Sequence, residues 1–441
     1  MKEKQPIKRF LSPAIIIVLS FFLLVMIGAI LLFLPISSHP EHKLSFINAL
    51  FMSTSAVTIT GLTPVANVAA TLTIFGKIVL ALLIQFGGLG VITLSVFVMI
   101  VIGAKIGISN RVLIRENLNS PSVAGVVGLI RKIVIVTFII EFVGFLINLI
   151  VFIPLFPLPK AIGVSAFHAI SSFNNAGFDI LGDSSISAYN TNVLFMLNTA
   201  FLIMAGGLGF IVIIDIFKKR SYKKLMIHSK IVIFMNLILW ISGTILIKIA
   251  QIDGQSTSWL NAFFLSVSSR TAGFASVFMP GLSGATILIM TVLMFIGGSP
   301  SSTAGGIKTT TFYTLVKSVI GYAKGSDITT HKRAIGQGSR QKAFLLLFVA
   351  LSTVVTGTTL IVFFEKLPIG DILFEVTSAM SNVGFSLNRT PTLSGWSKLV
   401  LILIMFAGRV GPLTIVALTN RNWYKVGKQP ITYIEEKIII G

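Results

Sequence analysis

Four short stretches of this chain end in a turn that could gather carbonyl oxygens around a metal cation. They are Val57-Thr58-Ile59-Thr60-Gly61-Leu62, Phe173-Asn174-Asn175-Ala176-Gly177-Phe178, Ser269-Arg270-Thr271-Ala272-Gly273-Phe274 and Ser381-Asn382-Val383-Gly384-Phe385. Each follows a short apolar run: Phe46 to Ser53, Val164 to Ser172, Trp259 to Val267 and Asp371 to Met380. The four glycines lie 116, 96 and 111 residues apart, which reads as a fourfold internal repeat. A cation entering hydrocarbon must exchange its water shell for other oxygens, and backbone carbonyls from converging turns can supply them. Glycine suits such a turn because it reaches backbone angles closed to other residues and adds no side chain to crowd an axis. Short helices whose C-terminal ends face that axis would add negative potential.

Composition says where such turns would sit. Of 441 residues, 54% are hydrophobic and 11% charged, with a mean hydropathy of +0.94. That describes a polytopic membrane protein, with apolar runs of the roughly 20 residues a span requires. The runs before the turns are too short to span, and non-helical backbone at membrane depth survives only buried in protein or lining a water-filled cavity. They therefore read as re-entrant. There is no cysteine, which excludes disulfides, thiolate nucleophiles and Cys-based zinc or iron–sulfur sites.

The formal charge of +21 is unevenly placed. Lys2, Lys4, Lys8 and Arg9 precede the first span; Arg111, Arg115, Arg131 and Lys132 separate repeats one and two. Lys218, Lys219, Arg220, Lys223, Lys224 and Lys230 separate two and three, and Lys324, Lys332, Arg333, Arg340 and Lys342 separate three and four. The connections that hold the turns are much poorer in Lys and Arg. This positive-inside pattern places both termini in the cytoplasm, with the turns entering from outside. The charge sets orientation, and no nucleic-acid role is assigned.

In order, each repeat reads span, short helix, turn, span. Spans are expected over 11–36 and about 70–103, 128–155 and 191–217, 229–250 and 284–322, 343–364 and 396–418. No small-residue cleavage pattern follows the first, so a removable signal peptide is not expected. The fold expected is all-α: eight transmembrane helices and four re-entrant pore loops around one pseudo-fourfold pore. Its units are 1–110, 111–222, 223–330 and 331–420, with a cytoplasmic tail over 421–441. The second spans carry Gly87-Gly88-Leu89-Gly90, Gly206-Gly207-Leu208-Gly209, Gly297-Gly298-Ser299-Pro300 and Gly408-Arg409-Val410-Gly411. Small residues let helices approach closely; aligned behind four turns, these read as the lining of a shared pathway. Repeat three alone is expected to be broken, because Gly297 to Thr309 is too rich in glycine and proline for a continuous helix.

The four single-glycine turns, in span, pore helix, span repeats on one chain, resemble the Trk/Ktr/HKT superfamily of cation transporters. Without further membrane segments ahead of repeat one, the chain looks like a Ktr-type (KtrB-like) membrane subunit. The resemblance covers about 11–420 and implies a fold similar to four potassium-channel subunits fused in sequence. Carried over, the filter glycines are Gly61, Gly177, Gly273 and Gly384. The carbonyls facing K+ are those of Ile59, Thr60, Asn175, Ala176, Thr271, Ala272, Asn382 and Val383. Glycine at all four positions implies potassium preference, whereas serine at the first is associated with sodium selectivity in some plant members. The broken segment, with Gly297, Gly298, Ser299, Ser301, Gly305 and Gly306, becomes an intramembrane gate loop under the filter. Arg409 becomes a positive charge near that gate. Regulation is expected through a cytosolic ring of nucleotide-binding RCK subunits beneath a membrane homodimer, with the tail contacting one or the other. Dependence on Na+ stays open, and no organic cofactor is expected in this chain.

Other ionisable residues carry bland alternatives. Arg409 has a second reading as an ion pair with Glu375 or Glu141, since an arginine near the bilayer centre costs roughly 2.5 to 3.5 kcal/mol. Lys308 is expected toward the cytoplasmic end. Glu141 and Glu375 read as buried hydrogen-bonding partners, Arg270 as a brace for the filter, Asp179 as a cation-enriching charge at the mouth, and His168 as packed. Metal-ligand clusters, phosphate-binding glycine loops and nucleophile–base pairs do not stand out, which argues against an enzyme. The expected function is potassium uptake across a bacterial plasma membrane. Its rivals are a sodium-permeable transporter of the same fold and a secondary transporter with a midplane site, which would show two halves and intramembrane carboxylates.

Overall fold

The computed structural model describes residues 13–102, 125–182, 185–251, 257–326, 328–330 and 333–411. Lys2, Lys4, Lys8, Arg9, Arg111, Arg115, Lys332 and the 421–441 tail lie outside them. The described chain is helical apart from a two-residue hairpin, β1 (Thr329–Thr330) with β2 (Arg333–Ala334).

A long helix is four times followed by a short one: α1 (Pro13–Phe33) by α2 (Phe46–Val57), α5 (Val126–Phe152) by α6 (Leu158–Phe173), α9 (Ile227–Ala250) by α10 (Trp259–Ser268), and α13 (Gln337–Phe364) by α14 (Ile369–Met380). After each short helix comes a glycine turn and then a further helix: α3 (Ile74–Leu89), α7 (Val193–Leu208), α11 (Gly284–Phe295) and α15 (Gly395–Val410). These further helices start alike. Thr73, Asn192, Ser283 and Ser394 each accept a hydrogen bond from the N–H three residues on, which satisfies one of the first-turn donors that have no helical partner.

The four long helices are apolar and long enough to cross a membrane. Their apolar residues lie on the outside as well as the inside: Phe22, Leu23, Phe142, Ile241 and Phe348 are exposed. The centre, by contrast, is polar, with Ser55, Thr58, Thr60, Ser171, Asn174, Asn175, Ser378 and Asn382 all buried. A soluble protein has the opposite arrangement. Apolar outside and hydrogen-bonded polar inside is what hydrocarbon solvent demands.

The second helices correct the sequence reading, which broke only repeat three. α3 ends at Leu89, and α4 (Val91–Val101) leaves it at 89°. α7 ends at Leu208, and α8 (Phe210–Lys219) leaves it at 96°. The hinges are Gly90 (φ +83°) and Gly209 (φ +95°), backbone angles that L side chains rarely adopt. Gly411 ends α15 with φ +91°. In the third unit the break is a loop from Ile296 to Lys308, after which α12 (Thr309–Ala323) resumes. By length and composition the described residues thus hold four spans, or six if each bent pair counts as one.

Within each unit the long helix packs on both of the others, and between units the packing order is cyclic. α3 packs on α6 of the second unit, α7 on α10 of the third, α11 on α14 of the fourth, and α15 on α2 of the first. The short helices therefore point their C-terminal ends toward one centre.

Candidate functional site

At that centre the four glycines form a closed ring. A Cβ built at Gly61 would stand 2.5 Å from the Ala176 carbonyl oxygen and 3.1 Å from Gly177 Cα. The same construction at Gly177 meets the Ala272 carbonyl, at Gly273 the Val383 carbonyl, and at Gly384 the Thr60 carbonyl. Each glycine thus faces the carbonyl one residue before the next glycine, and the fourth returns to the first. All four have positive φ, from +68° to +101°. Any side chain here would be strained by the backbone and would collide with a carbonyl.

The turns are wound by serines that the sequence reading passed over. Ser55 and Ser378, six residues before their glycines, accept the Gly61 and Gly384 N–H at 3.0 Å. Ser171, at the same spacing, donates instead to the Phe178 carbonyl (2.6 Å). In the third unit that position is Val267, and Ser268 supplies the bond, donating to the Phe274 carbonyl at 3.0 Å. The third turn also differs in its backbone: Ile59, Asn175 and Asn382 are left-handed, and Thr271 is not.

Side chains of the turns are taken up by protein groups. Asn382 Nδ2 donates to Thr60 Oγ1 and the Met405 carbonyl, both at 2.9 Å, linking the fourth turn to the first. The Asn175 amide, oriented to satisfy both its ends, donates to the Ile203 carbonyl (3.1 Å) and accepts from Gly207 N (3.2 Å). Asn174 Nδ2 donates to Glu141 Oε1 (3.0 Å) and Gln85 Oε1 (2.9 Å), and Gln85 Nε2 donates to Glu141 Oε2 (3.2 Å). This buried triad ties the second turn to α3 and α5. Glu375 accepts from Ser386 Oγ, Leu387 N and Thr390 Oγ1, fixing the exit from the fourth turn. His168 is packed between Phe195 and Phe274 and bonded to Thr199 at 2.9 Å.

The loop from Ile296 to Lys308 lies directly behind the ring. Gly305 abuts the Ser381 carbonyl and Asn382, and Gly297 packs against Gly305 and Gly306. Gly298 lies against Ala304, and Ser299 N donates to the Gly207 carbonyl at 3.1 Å. The Ser301 carbonyl accepts from Phe210 N at 2.8 Å, just past the Gly209 hinge. Arg270 reaches this loop rather than the ring: it donates to the Gly297 and Ile296 carbonyls and to Asn236. Lys308 folds back onto the Ala304 carbonyl, so it belongs to the loop cluster.

The partners of Arg409 bear on its ion-pair reading. It donates to the Thr303 carbonyl at 2.8 Å and to the Gly87 and Gly88 carbonyls. Glu141 and Glu375 are engaged elsewhere, so the ion-pair alternative does not hold. The guanidinium instead bridges α15, the end of α3 and the loop. Asp179, in the connection after the second turn, is pushed up to about 6 by withdrawal from water, partly offset by hydrogen bonds from Ser185 and Leu181 N. Among the described residues there is no group of three His, Asp or Glu that could hold a metal ion.

Comparison with known proteins gives a consistent result. The family model described as "TrkH: Cation transport protein" matches residues 2–247 and 231–422. The chain is 36% identical to "Ktr system potassium uptake protein B" of Bacillus subtilis, over 98% of this chain and 97% of the relative. It is 39% identical to "Potassium/sodium uptake protein NtpJ" of Enterococcus hirae, over 99% of each. Among solved structures, the potassium transporter TrkH from Vibrio parahaemolyticus superposes with a TM-score of 0.75 at 18% identity, covering 96% of this chain and 88% of that one. At that identity the match speaks to the fold.

Proposed function

The chain belongs to the TrkH/Ktr family of cation transport proteins, which are membrane ion transporters, and from that premise we propose that it takes up potassium through the ring of Gly61, Gly177, Gly273 and Gly384. The observation that carries the reading is the closed cycle in which each glycine faces the carbonyl of the next turn. A narrow ring of backbone oxygens can replace a potassium ion's hydration shell without any acidic side chain.

In this reading the chain forms four span, pore helix, span units, 1–110, 111–222, 223–330 and 331–420, around a pseudo-fourfold axis. The two bent second helices, the pair split by the loop and α15 are read as the other four of eight crossings. The ion is held by the carbonyls of Ile59, Thr60, Asn175, Ala176, Thr271, Ala272, Asn382 and Val383. The loop with Gly297, Gly298, Ser299, Ser301, Gly305 and Gly306 is the gate, held shut by Arg409. The termini are cytoplasmic, and a homodimer on a cytosolic RCK-type nucleotide-binding ring opens the gate. The name of the Enterococcus relative, a potassium/sodium uptake protein, favours one second reading, a ring that also admits sodium.

The test is growth of a potassium-uptake-deficient bacterium on low potassium, with wild type and Gly61→Ser. Rescue by wild type, with failure or a shift toward sodium in the variant, is expected. A wild type that fails even with a cognate cytosolic subunit, or a serine without effect, overturns the ring as the ion path.

A further inference from the structure

Two adjoining cavities open on the outer face between the third and fourth units. One, of about 550 Å3, lies between α11, α12 and α13, with apolar walls that include Val316, Leu347 and Leu351. Its walls also take in Ile296 and Ile307, the two residues at which the loop leaves α11 and returns to α12. The other, of about 1050 Å3, lies where the end of α12, the β1–β2 hairpin and the start of α13 meet; its walls are largely apolar, with Ile328, Ile335 and Phe344 among them, and Ser318, Gln337, Arg340 and Gln341 bring polar groups to it. Val319 belongs to both cavities and is largely exposed.

The pair joins an apolar chamber to one that also carries a cationic and several amide and hydroxyl groups, which suits an amphiphile with an anionic head. Within the membrane reading above, on which this inference rests, the apolar half opens among lipid-facing residues. The polar half falls at the end of the span, in the Lys- and Arg-rich connection. From Thr309 to Phe364 the sequence has one acidic residue, Asp327, against Lys317, Lys324, Lys332, Arg333, Arg340 and Lys342. Arg340 lines the polar cavity, and its Nε–H is buried without a hydrogen-bond acceptor among the described residues. A buried donor left without a partner is costly, and a guanidinium fork matches phosphate oxygens.

We propose that these cavities hold one anionic phospholipid, its phosphate against Arg340 and an acyl chain against Ile296 and Ile307, and that the chain props the loop toward its open form. An apolar chain packed against both ends of a loop can shift that loop only by favouring one of its arrangements. Membranes rich in anionic lipid would then raise flux.

The test uses the full chain in vesicles of phosphatidylcholine with rising fractions of phosphatidylglycerol, reading initial potassium flux. Wild type should rise several-fold and saturate. Arg340→Gln and the cavity-filling Leu351→Trp should stay flat, and Lys219→Gln, an exposed lysine of the second unit, should follow wild type as a control for surface charge. Parallel curves for wild type and Arg340→Gln overturn the proposal. Native mass spectrometry of the solubilised protein provides a readout independent of flux: one phosphatidylglycerol retained by wild type and lost in Arg340→Gln is expected, and equal retention overturns the site. The vesicles carry a cognate cytosolic subunit, and flux that is still absent for wild type in every one of them counts against the transport reading instead.

Discussion

Arg409 offers the sharpest test, because its two possible effects share a sign but differ in mechanism. Its Nη1 donates to the Thr303 carbonyl at 2.8 Å, the one of its bonds that reaches the loop, while Nη2 holds the Gly87 and Gly88 carbonyls. A hydrogen bond from a charged donor contributes about 1.5–3 kcal/mol. At ~1.4 kcal/mol per decade, losing the Thr303 bond would shift the balance between closed and open loop by roughly 10- to 150-fold. In the proposed reading the charge itself would also oppose a passing cation. At an effective dielectric of ~20 and a separation of ~8 Å the repulsion is about 2 kcal/mol.

Arg409→Gln removes both effects, so rubidium or potassium influx into potassium-depleted cells should rise by about tenfold or more, the lower end of that range. Arg409→Lys separates them. Lysine keeps the charge but is a point donor that cannot span two partners with a rigid fork. If the clamp dominates, Lys should approach Gln; if the charge dominates, Lys should stay near wild type. The measurement must be normalised to folded protein, because either change leaves the Gly87 and Gly88 carbonyls with fewer donors. Unchanged or lower influx for Arg409→Gln at wild-type abundance and thermal midpoint would falsify both mechanisms.

Three further outcomes are expected. Glu141→Ala strips the Asn174 and Gln85 amides of their shared acceptor, a loss of ~1–3 kcal/mol; potassium over sodium discrimination should fall, as read by sodium competition against rubidium influx, and unaltered discrimination would remove the triad from the ring's support. Gly209→Ala forces a Cβ into φ +95° and to 2.6 Å from the Pro300 carbonyl, at a cost of ~1–3 kcal/mol for the strain alone; the thermal midpoint of the solubilised protein should drop, and an unmoved midpoint contradicts the hinge. Asp179, with its carboxyl raised to about 6, is charged above that pH and neutral below it, so influx at limiting potassium should decline as external pH falls through 6; Asp179→Asn should lack that step, and retention of the step assigns it to another group.

What the sequence shows and what it hides follow from the range of each interaction. The glycine turns are legible because a positive φ restricts residue type at one position, and the short helices because serine and proline mark their starts. The serines six residues before three of the glycines were equally available as a spacing signal. The Gln85–Glu141–Asn174 triad was not, since its members lie 56, 33 and 89 residues apart and nothing local marks them as partners. The bends at Gly90 and Gly209 were hidden for a different reason. In an apolar run, Gly-Gly-Leu-Gly reads as close helix packing. Hydropathy carries no information about φ, and the bond that supports the second bend, Phe210 N to the Ser301 carbonyl, comes from another unit.

The bends and the loop also explain which acceptors Arg270 and Arg409 find. A helix that stops leaves the last four carbonyls without helical donors and a negative potential at its end. α3 stops at Gly90, and its Gly87 and Gly88 carbonyls are met by Arg409. α7 stops at Gly209, and its Gly206 and Gly207 carbonyls are met by Thr303 N and Ser299 N of the loop. α11 stops at Phe295, and the carbonyls just beyond, Ile296 and Gly297, are met by Arg270. Had the helices run on unbroken, these oxygens would be spent on their own backbones, and Arg270 would keep only Asn236 of the acceptors it has here. In the proposed reading, an ion leaving the ring toward the cytoplasm would therefore meet carbonyl ends already occupied by fixed donors, two of them cationic. If the loop is the gate, as proposed, passage would require the loop and Arg409 to release those oxygens together, so the groups that stabilise the closed arrangement would be the ones an open arrangement hands to the ion.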